Sequence, residues 1–132
     1  MIRTVYGEGR YTVHLDAHTT NGAGLSVFVY GGDLAHLGGV ALASPGVTLH
    51  GSRLSNCDMW TMTVPGHKDA ELAQRLAKQL CVATGEPVCV SLGLHIDNAT
   101  KDDIHTLCET AAIAAARFLE DYGWAKRKDQ HG

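Results

Sequence analysis

Three short stretches of this chain hold residues that could do chemistry. The first is YGGDLAHLGGVAL, residues 30–42, where the pairs Gly31-Gly32 and Gly38-Gly39 bracket one acid, Asp33, and one imidazole, His36. Glycines let a backbone approach a ligand closely and aim several N–H groups at one point, which suits a phosphate. The stretch is not G-x-G-x-x-G, and it precedes a strand pattern instead of a helix, so the dinucleotide fingerprint fails on context. A wide hairpin loop with glycines at positive φ accounts for the same residues. The second stretch is PGHKD, residues 65–69, at the head of a helical pattern. Unpaired N–H groups at a helix start attract anions, and His67 and Lys68 would add a donor and a cation beside them. Its plain alternative is a helix start with an exposed lysine and a histidine cap. The third is GLHIDNAT, residues 93–100, a strand end running into a helix. His95 stands at the strand's carboxyl edge, and Gly93 leaves room two residues earlier on the same face. Asp97, Asn98 and Thr100 supply oxygens and an amide, although capping also explains Asn98 and Thr100.

His36, His67 and His95 thus fall at three element junctions, in a chain with eight histidines. If the junctions meet at one end of a sheet, they form a site with phosphate or metal capacity. No serine or cysteine nucleophile has an evident base. H-E-x-x-H, a P-loop and a spaced carboxylate pair are all missing from the sequence, which does not advertise catalysis.

The elements that must position these residues follow from periodicity. Residues 9–19 alternate, with Tyr11, Val13, Leu15 and Ala17 on one side and Thr12, His14, Asp16 and His18 on the other. That is the period of a half-buried strand. Asn21-Gly22 signals a hairpin turn, residues 25–30 a return strand, residues 40–44 a third and residues 57–64 a fourth, with a loop at 45–56. The first half then reads as an antiparallel meander. Residues 67–85 predict a helix with Leu72, Ala73, Leu76, Ala77 and Leu80 on its apolar stripe and Gly85 as C-cap. Residues 86–96 form an apolar strand long enough to be central. Thr100 and Asp103 match a capping box, and the helix they open runs to about Tyr122, where Gly123 ends it. Residues 125–132 read as a frayed polar tail outside a single domain of residues 1–124.

The order β-β-β-β-α-β-α predicts an α+β protein. We expect a two-layer sandwich, with an antiparallel or mixed sheet of about five strands and both helices on one face. The sheet's second face, with Thr12, His14, Asp16 and His18, is left for solvent or for a second subunit. A length of 132 residues suits one core, and 45% hydrophobic with 19% charged residues describes a folded globular chain. A net charge of −3 argues against diffuse binding to nucleic acid or to an anionic membrane. No apolar run approaches the ~20 residues of a membrane span, and MIRTVYGEGR lacks the apolar core of a signal peptide, so the expected compartment is the cytoplasm. The four cysteines, at 57, 81, 89 and 108, show no C-x-x-C spacing and are expected to be reduced, mostly buried thiols.

Taken in order, the loop Gly31-Gly32-Asp33-Leu34-Ala35-His36-Leu37-Gly38, the GHKD of residues 66–69 and the GLHIDNATKDDI of residues 93–104 resemble the LpdD-like family. These are small accessory D subunits encoded with gallate- and protocatechuate-type decarboxylases. The resemblance covers roughly residues 9–120. It implies a non-catalytic chaperone that takes reduced prenylated flavin mononucleotide (FMN) after a flavin prenyltransferase makes it. The chaperone then assists the cofactor's transfer to a UbiD-like (de)carboxylase, which it activates. The positions that match the family's motifs are Gly31, Gly32, His36 and Gly38, then His67 and Lys68, then Gly93, His95 and Asn98. A layout similar to proteasome-assembly chaperones is also implied, and with it a homodimer. Residues 45–64 depart from the family pattern, so Cys57, Trp60 and Met62 carry nothing over.

For such a cargo the helix start at His67-Lys68 is the best anion site in the chain, and Tyr30, Trp60 and Met62 are candidate surfaces for the flavin ring. Two other readings stand beside this one. The chain could be a small metal-dependent enzyme using His36, His67 and His95. Alternatively, it could be a purely structural subunit of a decarboxylase.

Overall fold

Alternation of apolar and polar residues sorts most of the first half of the chain into strands, and two helical stripes cover them. A computed structural model describes residues 1–47 and 53–131. Among these, the strands are β1 (Ile2–Tyr6), β2 (Val13–Thr19), β3 (Leu25–Gly32), β4 (Gly39–Val47), β5 (Arg53–Thr63) and β6 (Val88–His95). The helices are α1 (Ala70–Thr84) and α2 (Lys101–His131), and a 3-10 turn spans Gly9–Tyr11. One mixed sheet runs in the order β1-β2-β3-β6-β4-β5. β3 and β6 are parallel, and the other neighbouring pairs are antiparallel.

The core lies between one face of the sheet and both helices. Val13, Leu15 and Ala17 of β2, Val27 and Val29 of β3, Ala41 and Ala43 of β4, and Val88, Val90 and Leu92 of β6 are buried there. Leu76 and Leu80 of α1 and Phe118 of α2 pack down on them. The α+β two-layer expectation therefore holds, with six strands in place of about five. At the far end of β6 from the histidine junctions, the buried Glu86 locks the layers together. Its Oε1 accepts the Gly24 N–H at 3.2 Å and its Oε2 accepts the Tyr122 hydroxyl at 2.6 Å.

Several boundaries differ from the sequence reading. β1 was not expected, because the buried side of IRTVY carries Thr4 between Ile2 and Tyr6 and so hides the apolar alternation. Residues 9–11 turn as a 3-10 helix instead of starting a strand. The meander is interrupted, since β6 inserts between β3 and β4. VCVSLGLH is the apolar strand able to sit at the centre, and the flanking hairpins take the edges. β4 and β5 run into the expected loop at 45–56. Pro45 lies beyond the β6 pairing, which ends at Ala43, so no ladder hydrogen bond to β6 is lost there. Residues 48–52 of that loop, and Gly132 of the tail, lie outside the described residues. α2 continues past Gly123 to His131, because a glycine weakens a helix without ending it when helix formers follow.

Local signals were read correctly where they rest on short-range geometry. Gly85 caps α1 at φ 71°, its N–H reaching the Cys81 carbonyl at 2.8 Å. The Thr100 and Asp103 box closes in both directions, at 2.9 and 3.1 Å. Cys81 is buried, and Cys57, Cys89 and Cys108 are partly buried free thiols.

Candidate functional site

β3 and β6 run parallel and end side by side, with Gly32 opposite His95. Ligands of layered α/β sheets gather outside such carboxyl ends. The loop of residues 33–38 leaves from this point and folds directly onto β6. Asp33 N–H donates to the His95 carbonyl at 2.6 Å and Gly38 N–H to the Leu92 carbonyl at 2.8 Å. The glycines make this approach possible. A Cβ on Gly93 would lie 1.6 Å from the His36 carbonyl oxygen, and one on Gly38 would lie 1.8 Å from Asp69 Oδ2. On Gly32, at φ 78°, it would lie 2.2 Å from the His95 carbonyl oxygen, and on Gly31 2.2 Å from that of Thr12. Gly32, Gly38 and Gly93 therefore seat the loop, Gly31 packs against Thr12, and none of the four lines the cleft described below.

The seated loop brings the three junctions together, as a common site requires. Asp69 is the residue just before α1, which starts at Ala70 and not at residue 67. Its carboxylate does not cap its own helix. Asp69 Oδ2 instead lies 3.1 Å from His36 Nε2 and 3.7 Å from His67 Nδ1, while Oδ1 accepts the Leu94 N–H at 3.4 Å. The His36 and His67 rings lie 4.9 Å apart, and the His95 ring stands edge-on to His36 at 6.2 Å. His36 Nδ1 also lies 3.3 Å from the Leu34 carbonyl. Both neighbours of the His36 ring, the Leu34 carbonyl and the Asp69 carboxylate, are hydrogen-bond acceptors. His95 turns outward to Asp97, with 2.8 Å from Nε2 to Oδ1.

Asp69 and Arg10 are the residues that sequence reasoning missed. An aspartate directly before a helix reads as a cap. Only the packing against Gly38 shows that this one reaches across to another loop. Arg10 explains Asp33. Its Nη2 donates to Asp33 Oδ2 at 2.8 Å and to the Asp97 carbonyl at 2.9 Å, and the Asp97 N–H donates to the same Asp33 oxygen at 2.9 Å. Asp33 is thus a clamp between the two loops of the site.

These contacts hold the Asp33 carboxyl below the ordinary carboxylate range, the Asp97 N–H first and the Arg10 guanidinium after it. The Asp103 carboxyl is lowered in the same sense, by the Thr100 N–H and then the Tyr11 hydroxyl. A carboxyl lowered on folding contributes in full above its ordinary value near pH 4 and loses that contribution as pH falls through its folded value. We expect Asp33→Asn to lower the melting temperature at neutral pH and to flatten its fall between about pH 5 and pH 2. Thermal melts across that range check this, and parallel curves for the two proteins would refute it.

Between the starts of α1 and α2 lies a cleft of about 290 Å³. Leu72, Leu94, Ile96, Ile104, Leu107 and Cys108 form its walls, and His36, His67, Lys68, Asp69 and His95 add its polar groups. Burial pushes the Cys108 thiol up, so it serves as apolar wall. A larger, more open depression of about 550 Å³ lies over α1 and Ala112 of α2, lined by Arg75, Lys78, Gln79 and Val82. It holds none of the histidines, so the smaller cleft is the better candidate site. Asn98 does not line the cleft; it turns the chain after β6 in a left-handed conformation, at φ 53°. Tyr30, Trp60 and Met62 also stand away from it. Strand alternation puts them on the open face of the sheet, where Tyr30 stacks on His14 and Phe28 and hydrogen-bonds Asp16.

The fold is a small two-layer α+β domain with a cleft of mixed polarity at the carboxyl ends of its parallel strand pair. The chain belongs to the prenylated flavin chaperones: the profile of the prenylated flavin chaperone LpdD-like domain matches residues 7–123. No curated protein matches the chain. Among the described residues no helix is long and apolar enough to cross a membrane.

Proposed function

We propose that the chain binds reduced prenylated FMN in this cleft and passes it to a UbiD-like (de)carboxylase. It thereby activates that enzyme without turning over a substrate itself. The observation that carries the reading is the convergence of His36, His67, Lys68 and His95 beside one apolar slot. A prenylated isoalloxazine is flat and mostly apolar, which suits leucine and isoleucine walls. Its phosphate is a dianion, which suits Lys68 and His67 near a helix start. At about 290 Å³ the cleft sits at the low end of the size range of ligand pockets. Part of the cofactor then stays outside, where an accepting enzyme can reach it.

Supply by a flavin prenyltransferase and work in the cytoplasm belong to the same proposal. So does a homodimer across the open face of the sheet, where Phe28, Leu42, Trp60 and Met62 are exposed. The pairing of His95 with Asp97 weighs against a catalytic metal held by three histidines. A purely structural subunit would leave the cleft's polar groups without a use.

The test is anaerobic titration with reduced prenylated FMN, with one cofactor expected per chain. His67→Ala and Lys68→Ala should each weaken binding about tenfold, or about 1.4 kcal/mol. The loaded chain should then activate cofactor-free decarboxylase. Unchanged affinity in both variants overturns the phosphate assignment. Activation that ignores the cofactor favours the structural subunit.

A further inference from the structure

We propose that His36, His67 and Asp69 form a binding site for a divalent transition-metal ion of the zinc, cobalt or ferrous-iron class. Their ligand atoms, one from each residue, all lie within 4.8 Å of one another. Asp69 Oδ2 is the hub, 3.1 Å from His36 Nε2 and 3.7 Å from His67 Nδ1. Tetrahedral ligands held at about 2.1 Å from an ion stand about 3.4 Å from one another, so small side-chain rotations complete the set.

Neighbouring groups already orient two of the three ligands. In the tautomer with the proton on Nδ1, His36 donates to the Leu34 carbonyl at 3.3 Å and presents Nε2 as a ligand atom on the side of the carboxylate. The Leu94 N–H engages Asp69 Oδ1 and leaves Oδ2 for the histidines. Such outer contacts fix tautomer and direction at metal sites. Gly38 is what admits the carboxylate, since a Cβ there would lie 1.8 Å from Asp69 Oδ2. Two imidazoles and one carboxylate suit zinc, cobalt or ferrous iron, whereas magnesium and calcium favour all-oxygen sets. Three protein ligands leave a position for water or for an anionic oxygen of the cleft's occupant. The site uses only this chain's own side chains and does not require the flavin reading.

The experiment strips the full chain with a chelator and titrates it without flavin, using Zn2+ by calorimetry and Co2+ by visible absorption. One ion per chain and no heat with Mg2+ are expected. His67→Ala, which changes an exposed ring, should weaken Zn2+ binding about 100-fold or more, and Asp69→Asn comparably. His105→Ala, at a histidine outside the cleft, should keep one ion per chain. Absence of Zn2+ binding, or equal affinity in His67→Ala, overturns the proposal even if Asp69→Asn fails to fold. Because the titration contains no flavin, its outcome is separate from that of the cofactor experiment.

Discussion

Replacing Gly93 by alanine is expected to cost the protein about 3 kcal/mol and to remove most of its cofactor affinity. The added Cβ would sit 1.6 Å from the His36 carbonyl oxygen, with the Leu37 nitrogen 3.0 Å away. Both are backbone atoms, so no side chain can rotate clear. The loop of residues 33–38 must lift off β6, and the Gly38 to Leu92 hydrogen bond goes with it. His36 rides on that loop, so its contact with Asp69 is lost in the same event. Urea denaturation reads the stability term and anaerobic flavin titration reads the binding term. The two should fall together. A variant with wild-type affinity would show that the seated loop is not what builds the site.

Glu86→Ala is expected to destabilise the fold by a similar amount, about 3 kcal/mol, and to leave cofactor affinity unchanged in the folded fraction. Removing the carboxylate deprives the Tyr122 hydroxyl and the Gly24 N–H of their shared acceptor. A hydrogen bond to a charged acceptor contributes about 1.5–3 kcal/mol. Tyr122→Phe removes one donor and should cost about 1 kcal/mol. Glu86 stands at the opposite end of β6 from His95, which is why stability and binding should separate here and move together in Gly93→Ala. Chemical denaturation with flavin titration of the same samples checks both. A drop in affinity without a drop in stability would contradict this division.

The sequence by itself determined the local geometry. Gly85 ends α1 because only a residue at ease with φ 71° fits that position, and the Thr100–Asp103 box starts α2 through bonds three residues apart. Apolar alternation put Val13, Leu15 and Ala17 on the core face. The types of His36, His67, Lys68 and His95, and their places at element junctions, are also legible in the sequence.

Tertiary structure alone decided how those parts are used. The insertion of β6 between β3 and β4 is a long-range choice that no short window records. It makes the parallel pair whose ends carry the site. What a missing Cβ makes room for is set by segments distant in the chain: Gly32 admits the His95 carbonyl and Gly93 the His36 carbonyl. Asp69, given no role in the sequence reading, is the hub of the cluster, while Tyr30, Trp60 and Met62 lie on the opposite side of the sheet from the cleft. A sequence states which groups are available and which local turns they favour. Which of them face one another depends on strand order and face, and those are fixed only when the whole sheet closes its core.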